Sequence, residues 1–171
     1  MVGQSSMNIF FLDTDPETAA RFHGDKHVVK MILECAQLLY SAHWVLNPCE
    51  VPDFAYKKTH INHPCAIWTR ESIENYEWLC ELAIKLCEEY TFRYGKTHKT
   101  QRHIKWLIDH PPFDIPNIQT TEIRLAMPDE YKNEDPIESY RMFYRESKVK
   151  QRNIVSYTKR EWPSFLHWDN T

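Results

Sequence analysis

Residues 65–94 read CAIWTRESIENYEWLCELAIKLCEEYTFRY, and the period of their apolar positions decides the fold class. At 100° per residue, Trp68, Leu79, Ala83, Leu86 and Tyr90 share one face, while Arg70, Glu74, Glu77, Glu81, Lys85 and Glu88 share another. The pattern predicts one long amphipathic helix over the stretch, stopped at Gly95, a residue suited to the left-handed turn that ends helices. Similar signals recur on both sides. Asp15-Pro16-Glu17 is a capped helix start running to about Phe22, and Asp25 can cap a second helix from Lys26 to about Leu46. A short helix is expected over Lys99–Asp109, and Asp135-Pro136 opens another to about Val149. Asn8–Leu12 reads as a short buried strand or extended segment. Asn47–Pro64 reads as a loop, and the Pro-rich stretch from His110 to Asp135 as a long irregular connection of the kind that often lines a site. The expectation is a mainly α chain: a single compact helical domain over 7–171, preceded by a polar extension or cloning remnant over 1–6.

Composition narrows the class. The chain has 171 residues, 42% apolar and 13% aromatic, enough for one sizeable core and too apolar for disorder. Only three glycines are present, which argues against a turn-rich β fold and against Gly-rich phosphate loops. No run approaches the roughly 18 apolar residues of a membrane span, and the start does not read as a signal peptide, so a cytoplasmic location without a membrane partner is expected. The five cysteines form no CxxC pair and are odd in number, which fits buried free thiols better than disulfides or a metal site. Net charge is −3, but residues 137–160 carry seven cations against two acids, a local +5, leaving −8 elsewhere. A basic segment of that kind suits a polyanion. Arg141, Arg145, Lys148, Lys150 and Arg152, interleaved with Tyr140, Phe143, Tyr144, Tyr157, Trp162, Phe165 and Trp168, are therefore candidates for nucleic-acid contact.

Two histidine-bearing segments hold the other unusual polar residues. In the first, a helix would bring His23, His27, Lys30 and Glu34 onto one side, with Val29, Ile32, Leu33, Ala36 and Leu39 opposite. Lys26, His27 and Lys30 crowd the positive end of that helix, a conflict that a bound phosphate or carboxylate would relieve. The second runs from Lys57 through His60 and His63 into the long helix, where Trp68, Arg70, Ser72 and Asn75 follow. Ser72 and Asn75 sit among apolar positions, so they must bond a loop or face a pocket. HxxH in a loop lacks a third and fourth zinc ligand at plausible spacing, and no cofactor is implied.

The set Asp13-Thr14-Asp15-Pro16, Asp25-Lys26-His27-Val28-Val29-Lys30-Met31-Ile32-Leu33-Glu34, Thr59-His60-Ile61-Asn62-His63-Pro64 and Ala126-Met127-Pro128-Asp129-Glu130-Tyr131 resembles a family of small proteins encoded by tailed bacteriophages. The likeness runs from about Met7 to Phe165. It implies a phage-like origin, hence the host cytoplasm, and carries no chemistry of its own. In layout the chain is also similar to the small helical pyrimidine-dimer DNA glycosylases of phages. That likeness implies base–sugar cleavage with Glu34 as the carboxylate, although no residue here matches the N-terminal amine those enzymes use.

Three readings follow. The first is an enzyme on DNA or nucleotides that cleaves an N-glycosidic bond. In it Glu34, His27, His60 and His63 are catalytic, and His23, Lys26, Lys30, Trp68, Arg70, Ser72 and Asn75 hold substrate. Trp68 or Trp78 would stack on an extruded base. The second is a non-catalytic phage factor that engages nucleic acid or a host protein through the basic segment. The third is a metal-dependent hydrolase using His23, His27, His60 and His63 with Asp25. The first needs the segments around positions 27 and 60 to meet at one concave, positively biased pocket.

Overall fold

Helix α4, Ile73–Tyr94, is the element on which the rest is assembled: α1 (Pro16–Arg21), α2 (Asp25–Leu46), α3 (Pro64–Glu71) and α5 (Gln101–Asp109) all pack against it. The fold is seen in a computed structural model that describes residues 7–150 and 156–167. It is mainly α, as the periodicity requires, and no strand occurs among the described residues. A further helix, α6 (Pro136–Phe143), runs into a wider π-helical turn over Tyr144–Lys150. No helix among the described residues is long and apolar enough to cross a membrane.

The expected single helix over 65–94 is two helices. Its register breaks at Ser72, whose backbone is extended (φ −154°, ψ 153°) and whose hydroxyl accepts from the Asn75 N–H, capping α4. Asn75 then donates to the Trp68 carbonyl at 2.7 Å and to Thr121 Oγ1 at 2.7 Å, and it accepts from the Thr121 N–H at 3.0 Å. Both residues are fully buried. Their polar groups hang the loop around Thr121 on the helix junction, so they are corrected from substrate-binding to structural. Trp68 goes with them: it is 1% exposed, edge-on to Phe11 and Trp78, and its indole N–H faces the Thr121 carbonyl. No extruded base can stack on it. Trp78 is tied through its indole N–H to the Thr14 carbonyl and stacks on Phe11.

The expected apolar side of α2 is also revised. Ile32, Ala36 and Leu39 are buried, but Val29 and Leu33 are 38% and 39% exposed, while His27 and Glu34 are buried. Gly24, not Asp25, stands at the N-cap. The segment at 7–12 is extended and wholly buried, threaded between α2, α3 and α6 through Phe10 and Phe11 contacts with His27, Trp68 and Tyr140. The four buried cysteines and exposed Cys49 are all free thiols.

Candidate functional site

The start of α2, which its crowded cations suggest as an open anion cradle, is closed. The Gly24 N–H donates to the Tyr144 hydroxyl and the Asp25 N–H to the Ser156 carbonyl, so chain from more than 100 residues later plugs the helix end. The Asp25 carboxylate accepts from the Thr158 N–H and hydroxyl and from Arg93, whose side chain is fully buried. These bonds hold the Asp25 carboxyl below the usual carboxylate range against the opposing effect of burial. Arg93 also pairs with Glu89 and donates to the carbonyls of Arg21 and His23.

His27 lies beneath this plug, 7% exposed, with Nδ1 2.7 Å from the Tyr144 hydroxyl and its ring against Phe10. Burial, helped by neighbouring cations, lowers its pKa to about 2, so the ring is neutral and supplies no charge to a phosphate. His23 is fully buried, donates from Nδ1 to the Ala19 carbonyl, and has its pKa lowered to about 4 by desolvation. Neither imidazole is open to solvent. Among the described residues no three His, Cys, Asp or Glu side chains converge as a metal site. The ligand set of a metal-dependent hydrolase does not assemble: Asp25 is taken up by Thr158 and Arg93, His27 by Tyr144, His23 is sealed in the core, and His60 is exposed.

One helical turn beyond Lys30 the picture changes. Glu34 is 5% exposed; its Oε1 accepts from the Asn8 N–H at 3.1 Å, and its buried Oε2 has no hydrogen-bond partner. Lys30 Nζ stands 3.7 Å from Oε2 on a half-exposed side chain. Desolvation dominates, and raises the Glu34 pKa to about 7 despite the opposing pull of Lys30, the Asn8 N–H and Lys148. Asn8 is the junction. Beyond its N–H on Glu34, its side chain donates to the Ala126 carbonyl and accepts from Cys65 Sγ at 3.5 Å. A recess of about 340 Å³ opens beside it, lined chiefly by Met7, Asn8, His63, Met127, Phe143 and Lys148. Lys148 Nζ sits 5.1 Å above the Phe143 ring.

The two histidine segments thus meet only in part. His63 lines the recess, accepts from the Cys65 N–H as the cap of α3, and is lowered in pKa by burial. His60 is exposed at φ +52°, bonded to Thr59 rather than turned to the recess. Arg70 donates to the Ile61 carbonyl at 2.6 Å and so pins the loop that carries both. Lys26 is exposed on α2. Asn8 is a site residue that sequence reasoning misses, and Tyr144, expected as a ring for nucleic-acid contact, instead bonds Gly24 and His27 in the core. The one signal for Asn8 is an amide at the head of an apolar run, a buried polar group that must find partners.

The basic segment is largely spent on the fold. Arg141 donates to the Leu12 carbonyl, pairs with Asp13 at 2.9 Å and lies over Phe22 and Phe165. Arg145 and Lys150 both pair with Glu146, Arg160 with Glu89, and Lys159 donates to the Phe92 carbonyl. The local +5 is therefore answered in part by acids remote in sequence, and Arg141 is an internal pair rather than part of an open polyanion track, whereas Arg145 and exposed Lys150 pair at the surface with Glu146 of their own segment. Arg152 and Trp168 lie outside the described residues. No family model, curated protein or solved structure matches this chain.

Proposed function

We propose that the chain is an enzyme acting on DNA or nucleotides, with N-glycosidic cleavage as its reaction and Glu34 as its central group. The observation that carries this reading is a buried carboxyl with one oxygen left without a hydrogen bond, its pKa raised to about 7, near Lys30 and joined through the Asn8 N–H to the wall of a recess that Lys148 also lines. A structural carboxylate is normally satisfied on both oxygens; one held half-satisfied at the edge of neutrality suits proton transfer. Lys30 and Lys148 supply the positive charge a substrate phosphate needs, in place of the plugged start of α2. As the C–N bond breaks, the base leaves with the electron pair, and the carboxylate form of Glu34 stabilises the positive charge left on the sugar. Water then adds at the sugar carbon, its proton passes to Glu34, and Glu34 hands that proton to the departed base anion, which restores the carboxylate. His63 lines the recess, where it can contact the base.

The test is incubation with plain and modified phage DNA, followed by measurement of free base and abasic sites. The wild-type chain releases base, with a pH profile inflecting near 7. Glu34→Gln lowers the rate by about 10²-fold or more, the scale of general acid–base catalysis, while keeping the helical circular-dichroism spectrum. Release that survives Glu34→Gln unchanged defeats the assignment.

A further inference from the structure

The cations that the fold does not consume lie elsewhere. Lys96, Lys99, Arg102 and Lys105 recur every third residue into and along α5, and all four are exposed. None of them enters an ion pair among the described residues, unlike Arg141, Arg145, Lys150 and Arg160. Tyr56 bonds the Thr100 hydroxyl at 2.9 Å and packs on His103 with ring centroids 4.3 Å apart, which sets exposed Lys57 and Lys58 next to this helix.

The same face displays rings. Phe54 is 54% exposed and meets Trp106 edge-on at 5.4 Å, and Trp106 stacks on exposed His110 at 4.5 Å and 15°. Just beyond, Phe113 is 88% exposed. It is not on a loose tip: Asp114 accepts from the Asn47 side chain at 2.8 Å and returns its own N–H to Asn47 Oδ1 at 3.0 Å. Rings exposed to this degree add little to folding and present π faces to solvent. Exposed rings rimmed by cations that the fold leaves over match a strand whose phosphates are negative and whose bases are unstacked. A duplex would hide its base faces from these rings, and an acidic polypeptide would leave the rings unused.

We propose that the α5 face is a binding surface for single-stranded nucleic acid, with Arg102 and Lys105 on phosphates and Phe54 and Phe113 stacking on bases. This surface is separate from the Glu34 recess and does not depend on the chemistry assigned there.

The experiment is fluorescence anisotropy of dye-labelled oligothymidylate, the matching duplex and polyglutamate, titrated with full-length protein over a salt series. Oligothymidylate binds most tightly, and log K falls linearly with log salt. Arg102→Glu with Lys105→Glu weakens binding at least tenfold and flattens the slope by about 1.4, roughly 0.7 per lost phosphate contact. Phe54→Ala weakens binding about tenfold and leaves the slope unchanged. Base release at the Glu34 site is read in its own assay, so failure of the catalytic reading and failure of this one are told apart. All substituted positions on this face are exposed or loop-borne, and circular dichroism verifies the fold. No binding at low salt, tighter binding of duplex or polyglutamate, or a charge-reversed variant that binds like wild type overturns the proposal.

Discussion

Glu34 is the residue at which stability and chemistry pull apart. Its folded pKa of about 7 lies above the value of 4.5 it has when exposed, so between these values the folded chain holds a proton that the unfolded chain has lost. Stability from this group is full below pH 4.5 and is lost as pH rises through 7. A glutamine at 34 keeps the shape, carries no charge and escapes that loss. Glu34→Gln is therefore expected to be more stable than wild type at pH 8 by about 3 kcal/mol at most, since each tenfold change in proton affinity between the folded and unfolded chain is worth about 1.4 kcal/mol. The gap should shrink toward zero near pH 4.5. Urea unfolding at the two pH values checks this, and a gap that does not change with pH would show that the carboxyl ionises freely. A substitution that stabilises the fold while abolishing base release would mark Glu34 as a group kept for work rather than for folding.

At the scale of elements, the junction of α3 and α4 shows what periodicity can and cannot carry. The polar residues Ser72 and Asn75 stand out in sequence because they interrupt an apolar face, and the need for partners is legible. The break itself is not, since the apolar phase continues across Ser72 and serine is tolerated inside helices. The partner that decides it, Thr121, lies 46 residues from Asn75. The same holds for α2, whose phase as a free amphipathic helix puts His27 and Glu34 on the polar side. Burial of that side comes from Tyr144 and Asn8, long-range contacts that no local window contains. The +5 of the basic segment is likewise plain in the sequence, but the acids that answer it, Asp13 and Glu89, are remote. The junction gives a graded prediction. Ser72→Ala removes one cap and should cost about 1 kcal/mol. Asn75→Ala leaves the buried Trp68 carbonyl and the Thr121 N–H without partners and should cost about 2–4 kcal/mol. Chemical denaturation of both variants checks the order, and equal losses would mean that the 121 loop does not hang on Asn75.

At the scale of the molecule, His23 and His27, two of the imidazoles that stand out in sequence, are parts of the core together with His43, and this sets its response to acid. His23, His27 and His43 are all at most 7% exposed. Desolvation lowers their pKa values to about 4, 2 and 4 from 6.5. Below pH 6.5 the unfolded chain takes up protons at these positions and the folded chain does not, so stability present above 6.5 is lost as pH falls. Each histidine contributes up to about 1.4 kcal/mol per pH unit down to its folded pKa. Glu34 acts in the opposite sense over part of the range, but one carboxyl cannot offset three imidazoles. Asp25 and Glu89, whose pKa values are held down by Arg93, Arg160 and the Thr158 bonds, add to the loss once pH drops through the carboxylate range. The chain should therefore unfold cooperatively on mild acidification, at a pH where surface carboxylates are still ionised. The clearest test replaces His23 by leucine, which fills the site beside Phe10 without a titrating group. His23→Leu gives up one hydrogen bond to Ala19, a loss independent of pH. Its urea midpoint should accordingly fall less steeply than that of wild type between pH 6.5 and about 4.5. Parallel profiles for the two proteins would mean that His23 takes up its proton within the folded core, and acid sensitivity would then have to originate in His27, His43 and the Arg93 cluster.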